Sequence, residues 1–407
     1  MALSEKLKRL QAMEKTINKK FGEGAVMKGS DAVKAGKLDK QILPTPSAEL
    51  NKALHCGGLA GIVDLFGPES SGKTSLAIEV LAKAQKENPE FVGAWLETEE
   101  SVTADVLREH GVDLDRLIYW DQKTAGNAEN ALDIFRAYIA SHEINMFIVN
   151  SVAGLSPKTE IEEDLTKQNP AVTARIMSKL FRTIMSTIDL SNTTLVFINQ
   201  ERDNIGQMFG NPAQATGGKA LKFYSFQRIR MSRLKIDQSS PITSEEGIKV
   251  GFNVYKNRFS GTKDPYMKGE YYARYDSGID SYVAIPGQLV EAGIVERRGS
   301  WYYYNGPNGE VMEIDGVQCK FQSQKIFIDA LRSKPKLFEY FLGMLSGRKM
   351  SPDEIKQAEA DNEEGKEFIA QAEADNTENK EDEFLTQLES QIEGIEKDSK
   401  IEPIPET

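Results

Sequence analysis

Eight consecutive residues constrain this chain more than any others: Gly67-Pro68-Glu69-Ser70-Ser71-Gly72-Lys73-Thr74. Their spacing is G-x-x-x-x-G-K-T. The apolar run Ile62-Val63-Asp64-Leu65-Phe66 before them predicts a strand, and Ser75–Asn88 after them predicts a helix. A glycine-rich turn between a strand and a helix start is a phosphate cradle. Its glycines let the backbone close around an anion, and its N–H groups and the positive helix end point inward. All eight residues are therefore candidate nucleotide ligands. Lys73 is placed to reach the β- and γ-phosphates of ATP, and Thr74 to hold Mg²⁺.

The pattern continues beyond the cradle. Val92–Leu96, Leu117–Trp120, Met146–Val149 and Leu195–Asn199 are apolar and β-rich, and Ala128–Ile139 and Val172–Leu190 between them have helical spacing. Such alternation predicts an α/β fold with a mostly parallel sheet, whose ligand sits at the carboxyl ends of the strands. Two further groups are expected there. Glu97, Glu99 and Glu100 follow Ala94-Trp95-Leu96, so a carboxylate that positions water is available, although any one of them alone reads as a surface residue. An aspartate for the Mg²⁺ shell is expected at the end of Met146–Val149, where the chain has Asn150 instead. Asparagine keeps a carbonyl acceptor and lacks the charge. Nucleotide binding is expected to survive this, while Mg²⁺ affinity and hydrolysis rate stay open.

The ends of the chain differ from this core. Leu3, Leu7, Leu10 and Ile17 predict an amphipathic N-terminal helix, packed either on its own core or, as an arm, on a neighbouring subunit. Phe21-Gly22-Glu23-Gly24 breaks it, and Ala25-Val26-Met27 reads as a short extended segment. Gly247–Tyr275 reads as hairpins and residues 279–349 as a small mixed domain. Of 62 acidic and 50 basic residues, 19 and 5 lie in residues 351–407. The rest of the chain, with 43 and 45, is nearly neutral, so the net charge of −12 does not exclude DNA as a partner. The acidic segment contains QAEADN at both 357–362 and 371–376 and reads as a solvated, partly helical tail. Only Cys56 and Cys319 are present. No apolar run approaches the roughly 20 residues that span a bilayer, and no secretory segment opens the chain. A cytoplasmic location away from the membrane is expected.

Five blocks carry a family resemblance: Gly67–Thr74, Asn150–Lys158, Phe197–Gln200, Met208–Pro212 and Thr216–Tyr224. On these residues, in this order, the chain resembles the bacterial RecA recombinase family from about Thr16 to near residue 345. The resemblance implies an oligomerisation arm at 1–33, a RecA-type P-loop ATPase core at 34–278, a small α+β domain at 279–349 and an acidic tail at 350–407. It implies a DNA-dependent ATPase that forms helical filaments on single-stranded DNA and exchanges strands with duplex DNA in recombination and repair. Glu99 matches the family's catalytic glutamate, and Gln200 the glutamine that senses the γ-phosphate. Lys256 and Arg258 match two lysines that reach the neighbouring subunit's ATP, which implies a finger-like contribution in trans. DNA contacts are implied for two loops, Glu162–Asn169 and Glu201–Ala215, and for Arg175, Arg182, Arg202, Gly217 and Gly218. Without the resemblance, Arg175 and Arg182 read as a solvated helix face. The small domain is expected to help capture duplex.

The chain also departs from the family. Asn150 replaces an aspartate, Val106 the tyrosine that stacks on adenine, and Thr103 a nearby aspartate. The first DNA loop differs and the tail is long. These changes point to a divergent member, of the kind a phage or plasmid carries, with weaker or less selective adenine binding. They also leave an alternative: a filament scaffold that hydrolyses weakly and promotes repressor self-cleavage in an SOS-type response. A hexameric helicase on the same core is a third option, disfavoured by Phe209-Gly210-Asn211-Pro212.

Overall fold

The computed structural model describes residues 3–162, 172–203, 213–215, 218–237, 240–264 and 266–345. Most of both expected DNA loops, Gly217 and the acidic tail lie outside the described residues. So does the side chain of Arg202. The described residues divide into two compact units, with the boundary between Ala284 and Ile285.

The first unit is built on one large sheet. Its strands, numbered along the chain, are β1 (Ile62–Gly67), β2 (Gly93–Glu97), β3 (Leu117–Asp121), β4 (Met146–Asn150), β5 (Thr194–Asp203), β6 (Ala213–Ala215), β7 (Gln227–Leu234), β8 (Gly247–Asn257), β9 (Lys268–Arg274) and β10 (Gly278–Ile279). The order across the sheet is β10-β9-β8-β7-β1-β5-β4-β2-β3, and β6 pairs with β5. From β7 to β3 all pairings are parallel, whereas β8, β9 and β10 add as antiparallel strands. The expected α/β architecture is therefore present, and Gly247–Tyr275 contains the expected hairpin.

Every residue of β1, β2 and β4 is buried, as parallel strands covered on both faces must be. The side chains alternate between two apolar layers. Val63, Leu65, Trp95, Ile148 and Val196 join the layer under the helix Lys73–Glu87. Ile62, Leu96, Phe147, Val149 and Phe197 join the other, with Phe135 and Leu132 of the helix Ala128–Ser141 and Phe181 of the helix Val172–Ile184. The period of two thus sets which helix each strand residue meets. A buried ion pair links the neighbouring strands β1 and β7: Arg228 Nε donates to Asp64 at 2.8 Å, and the guanidinium also lies 4.7 Å from the Phe66 ring. Burial pushes the Asp64 carboxyl up despite Arg228.

The N-terminal helix runs from Leu3 to Phe21. Leu7, Leu10 and Met13 are 46%, 52% and 61% exposed, so it does not bury its apolar face on its own core. Two local expectations need correction. Ala25–Met27 is not extended but lies in a turn, because the Asn18 side chain both donates to and accepts from the Val26 backbone at 2.8 Å. That side chain provides the pairing that a partner strand would otherwise supply. The helix expected to run to Leu190 ends at Ile184 and passes into turns.

The second unit has a three-stranded antiparallel sheet, Glu296–Arg298, Trp301–Tyr303 and Lys320–Phe321, with the helices Gln324–Ser333 and Pro335–Leu345. Its core is aromatic: Phe321 stacks on Phe327 at 4.1 Å, and Phe341 and Tyr302 pack around them.

Candidate nucleotide and DNA site

The cradle begins where β1 stops. A Cβ on Gly67 would lie 2.1 Å from the carbonyl oxygen of Met231 on β7, so only glycine lets the loop leave the sheet here. Gly72, at φ 84°, makes the left-handed turn into the helix Lys73–Glu87. Pro68, Glu69 and Ser70 form the exposed rim, and Ser71 Oγ closes the loop by donating to Pro68 O at 2.8 Å. Lys73 is buried and folds over the loop, donating to the carbonyl oxygens of Gly67 at 3.1 Å and Pro68 at 2.6 Å. Burial pushes its pKa down, and Glu99, Glu69 and Glu201 act in the opposite direction.

Strand register brings the other groups to the same edge. Gly67 is level with Gln200, and Glu97 with Asn150. Thr74, in the first turn of the cradle helix, donates to Asn150 Oδ1 at 3.4 Å. Asn150 Nδ2 donates to Glu97 Oε2 at 2.9 Å and to Ser101 Oγ at 3.0 Å. Glu99 accepts from Gln200 Nε2 at 2.9 Å and from the Ser151 hydroxyl. The structure therefore gathers Lys73, Thr74, Glu99, Asn150 and Gln200 around one cradle. These residues fit Mg²⁺ and a nucleoside triphosphate: a glycine-lined turn, an ammonium at its mouth, a helix-start hydroxyl and an exposed carboxylate beside a glutamine.

Sequence reasoning missed two partners, Ser101 and Ser151, which carry no pattern that marks them. Glu97, expected as one of three carboxylates that could position water, is wholly buried and cannot meet solvent. Thr103 caps the helix Ala104–Glu109 by accepting from Val106 N at 3.3 Å, and Val106 packs against the core. Neither presents an adenine-stacking group.

Lys256 and Arg258 lie elsewhere. Lys256 is paired with Arg228, which is level with Asp64 in β1. That is three residues before the cradle begins, on the order of 10 Å along the strand. Both side chains cap the end of the helix Gly218–Tyr224: Lys256 Nζ donates to Lys222 O at 2.8 Å and Phe223 O at 2.9 Å, and Arg258 to Phe223 O at 3.0 Å. Burial, followed by Arg258, Arg228 and Lys222, pushes the Lys256 pKa down to about 8. Phe223 beside them is 67% exposed.

Of the expected DNA contacts, Arg175 and Arg182 stand exposed on the helix Val172–Ile184, opposite its buried Met177, Leu180, Phe181 and Ile184. Lys179 is exposed between them, and its four-residue spacing from Arg175 places it on the same stripe. Arg202 lies in the described backbone of β5, and Gly218 opens the helix Gly218–Tyr224. Glu201, next to Gln200, is held by a bidentate Arg230, with contacts of 2.8 Å from both Nε and Nη2.

Comparison with known proteins agrees with this geometry. The family model of the RecA N-terminal domain matches residues 8–280. A protein RecA of Bacteroides thetaiotaomicron is 40% identical over 311 residues, which cover 75% of this chain and 89% of that relative. Protein RecA of Thermus aquaticus is 35% identical over 337 residues, covering 82% and 92%. Among the described residues no helix is long and apolar enough to cross a membrane.

Proposed function

The chain belongs to the RecA family, and from that premise we propose how its residues divide the work of a DNA-dependent ATPase in homologous recombination and DNA repair. The observation that carries this reading is the contact of Gln200 with Glu99 at the mouth of the cradle. Gln200 is the last site residue of β5 before the second DNA loop, so one glutamine contacts the hydrolytic carboxylate and leads directly along the chain into the DNA-facing segment. Thr74 would hold Mg²⁺, which when bound would neutralise charge on the phosphates. Lys73 leaves its loop carbonyls for the phosphate oxygens, and Glu99 accepts a proton from the attacking water. Ser151 and Gln200 hold the carboxylate in place for that transfer.

Lys256 and Arg258 sit at the opposite end of the strands from their own cradle, which suits a contribution to a neighbour's site. The surface they share with exposed Phe223, together with the exposed apolar face of the N-terminal helix, would form a head-to-tail contact that repeats into a filament. The stripe Arg175-Lys179-Arg182 suits phosphates without sequence preference. In the second unit, register places Trp301, Tyr303, Arg298 and Lys320 on one sheet face, an aromatic and basic surface that supports a role in duplex capture. The weakly hydrolysing scaffold is not favoured, because the family assignment carries ATPase activity with it. Repressor self-cleavage would be a second use of the same filament.

Hydrolysis stimulated by single-stranded DNA and strand exchange, measured on one preparation, test this reading. Both are expected. A protein that binds ATP and DNA with neither activity would return the scaffold to first place.

A further inference from the structure

We infer that Glu97 and Asn150 act as a complementary pair in which the buried carboxylate of the site sits on β2 and the amide on β4, and that Asn150 is a positioning residue rather than a weakened metal ligand. This rests on the ATPase reading above and deepens it.

Glu97 is wholly buried, and its carboxylate accepts four hydrogen bonds. Trp95 Nε1 and Asn150 Nδ2 donate to Oε2 at 3.0 and 2.9 Å, while the backbone N–H groups of Thr98 and Glu99 donate to Oε1 at 3.2 and 2.8 Å. Every partner is a donor, and a carboxylate can only accept. The amide of Asn150 must therefore turn its NH₂ toward Glu97, which leaves Oδ1 for the Thr74 hydroxyl at 3.4 Å. One chain of contacts thus runs from Thr74, on the nucleotide side, through Asn150 to Glu97, and from Glu97 to the backbone of Glu99, on the water side. Thr98 braces the same junction, donating from its N–H to Asn150 O at 2.8 Å and from its hydroxyl to Ser151 O at 2.8 Å.

An aspartate at 150 cannot serve this chain. It replaces a donor by an acceptor and sets two carboxylates face to face in a buried site, where an unpaired charge is costly. Restoring the family's usual residue therefore damages this protein. The exchanged arrangement, a glutamine at 97 with an aspartate at 150, keeps one carboxylate and one amide. It recovers only part of the loss, because Trp95 Nε1 then meets an NH₂ group instead of an oxygen.

The test is a double-mutant cycle on the full chain, with Glu97→Gln, Asn150→Asp and the double variant. DNA-stimulated kcat and KM for ATP, the Mg²⁺ concentration that half-saturates ATP binding, and Tm without nucleotide are measured for each. Asn150→Asp is expected to lower Tm by roughly 5 °C or more and kcat by at least about tenfold. KM for ATP should stay within about threefold, because the cradle is untouched. The double variant is expected to be better than Asn150→Asp in both kcat and Tm. Asn150→Asp equal to or faster than wild type would overturn the pairing, as would a double variant no better than Asn150→Asp. If Asn150→Asp does not fold, a folded double variant supports the pair and an unfolded one overturns it. Wild type without DNA-stimulated hydrolysis would instead sink the ATPase reading, and the Tm arm of the cycle would still decide the pair.

Discussion

Glu79 shows how far one side chain can depart from its ordinary chemistry when helix and sheet close over it. It lies on the cradle helix, is nearly buried, and accepts from Ile279 N at 2.8 Å, while Oε1 has no partner among the described residues. Burial raises its pKa from 4.5 to about 7, which the Ile279 N–H and His110 only partly oppose. Between those two values the folded protein holds a proton that the unfolded chain has released. Stability from this group therefore falls as pH rises from 4.5 to 7 and stays low above it. Glu79→Gln should raise stability at pH 8 by up to about 3 kcal/mol and leave it nearly unchanged at pH 4, readable as Tm against pH. A second residue-scale expectation concerns Glu99. Glu99→Gln should lower DNA-stimulated kcat by roughly a hundredfold or more while ATP affinity, measured by titration, stays close to wild type. Lost binding would place Glu99 in the cradle rather than beside the water.

At the scale of elements, the helix Val172–Ile184 was legible on its buried side and ambiguous on the other. Its apolar residues follow a helical period, so its packing could be read directly. Arg175 and Arg182 fit equally well a solvated face and a phosphate stripe, because periodicity does not say what lies outside a helix. The structure adds Lys179 to the same exposed stripe. Replacing Arg175, Lys179 and Arg182 by alanine one at a time should each reduce the salt slope of single-stranded DNA affinity by about 0.7. An unaltered slope would assign the stripe to solvent. Glu97 is the opposite case. The strand alternation placed it, but the sequence does not say that its side chain turns inward under Trp95.

At the scale of the whole molecule, the position of Lys256 and Arg258 predicts shared sites. A Lys256→Ala/Arg258→Ala variant and a Glu99→Gln variant should each be nearly inactive alone. Mixed, they should regain part of the DNA-stimulated ATPase, because mixed neighbours assemble some complete sites. No recovery in any mixing ratio would confine the residues to their own subunit. The segment 351–407 carries a net charge of −14 (19 acidic against 5 basic residues), enough to compete with DNA phosphate for basic surface. Truncation at 350 should tighten duplex binding and reduce its Mg²⁺ requirement. Unchanged titrations would reject the competition.

Local order along the chain determined the cradle, the alternation of strand and helix, and the acidic tail. Each is written in neighbouring residues, whose spacing alone sets turn, face or charge. Tertiary structure decided the rest, because it depends on which strands become neighbours. Register alone sets Glu97 beside Asn150, turning a residue read as a loss of charge into the donor a buried carboxylate needs. Register also places Lys256 and Arg258 away from their own cradle. Spacing in sequence carries no information about either, since β2 and β4 become neighbours, and β7 comes to lie between β1 and β8, only when the sheet forms.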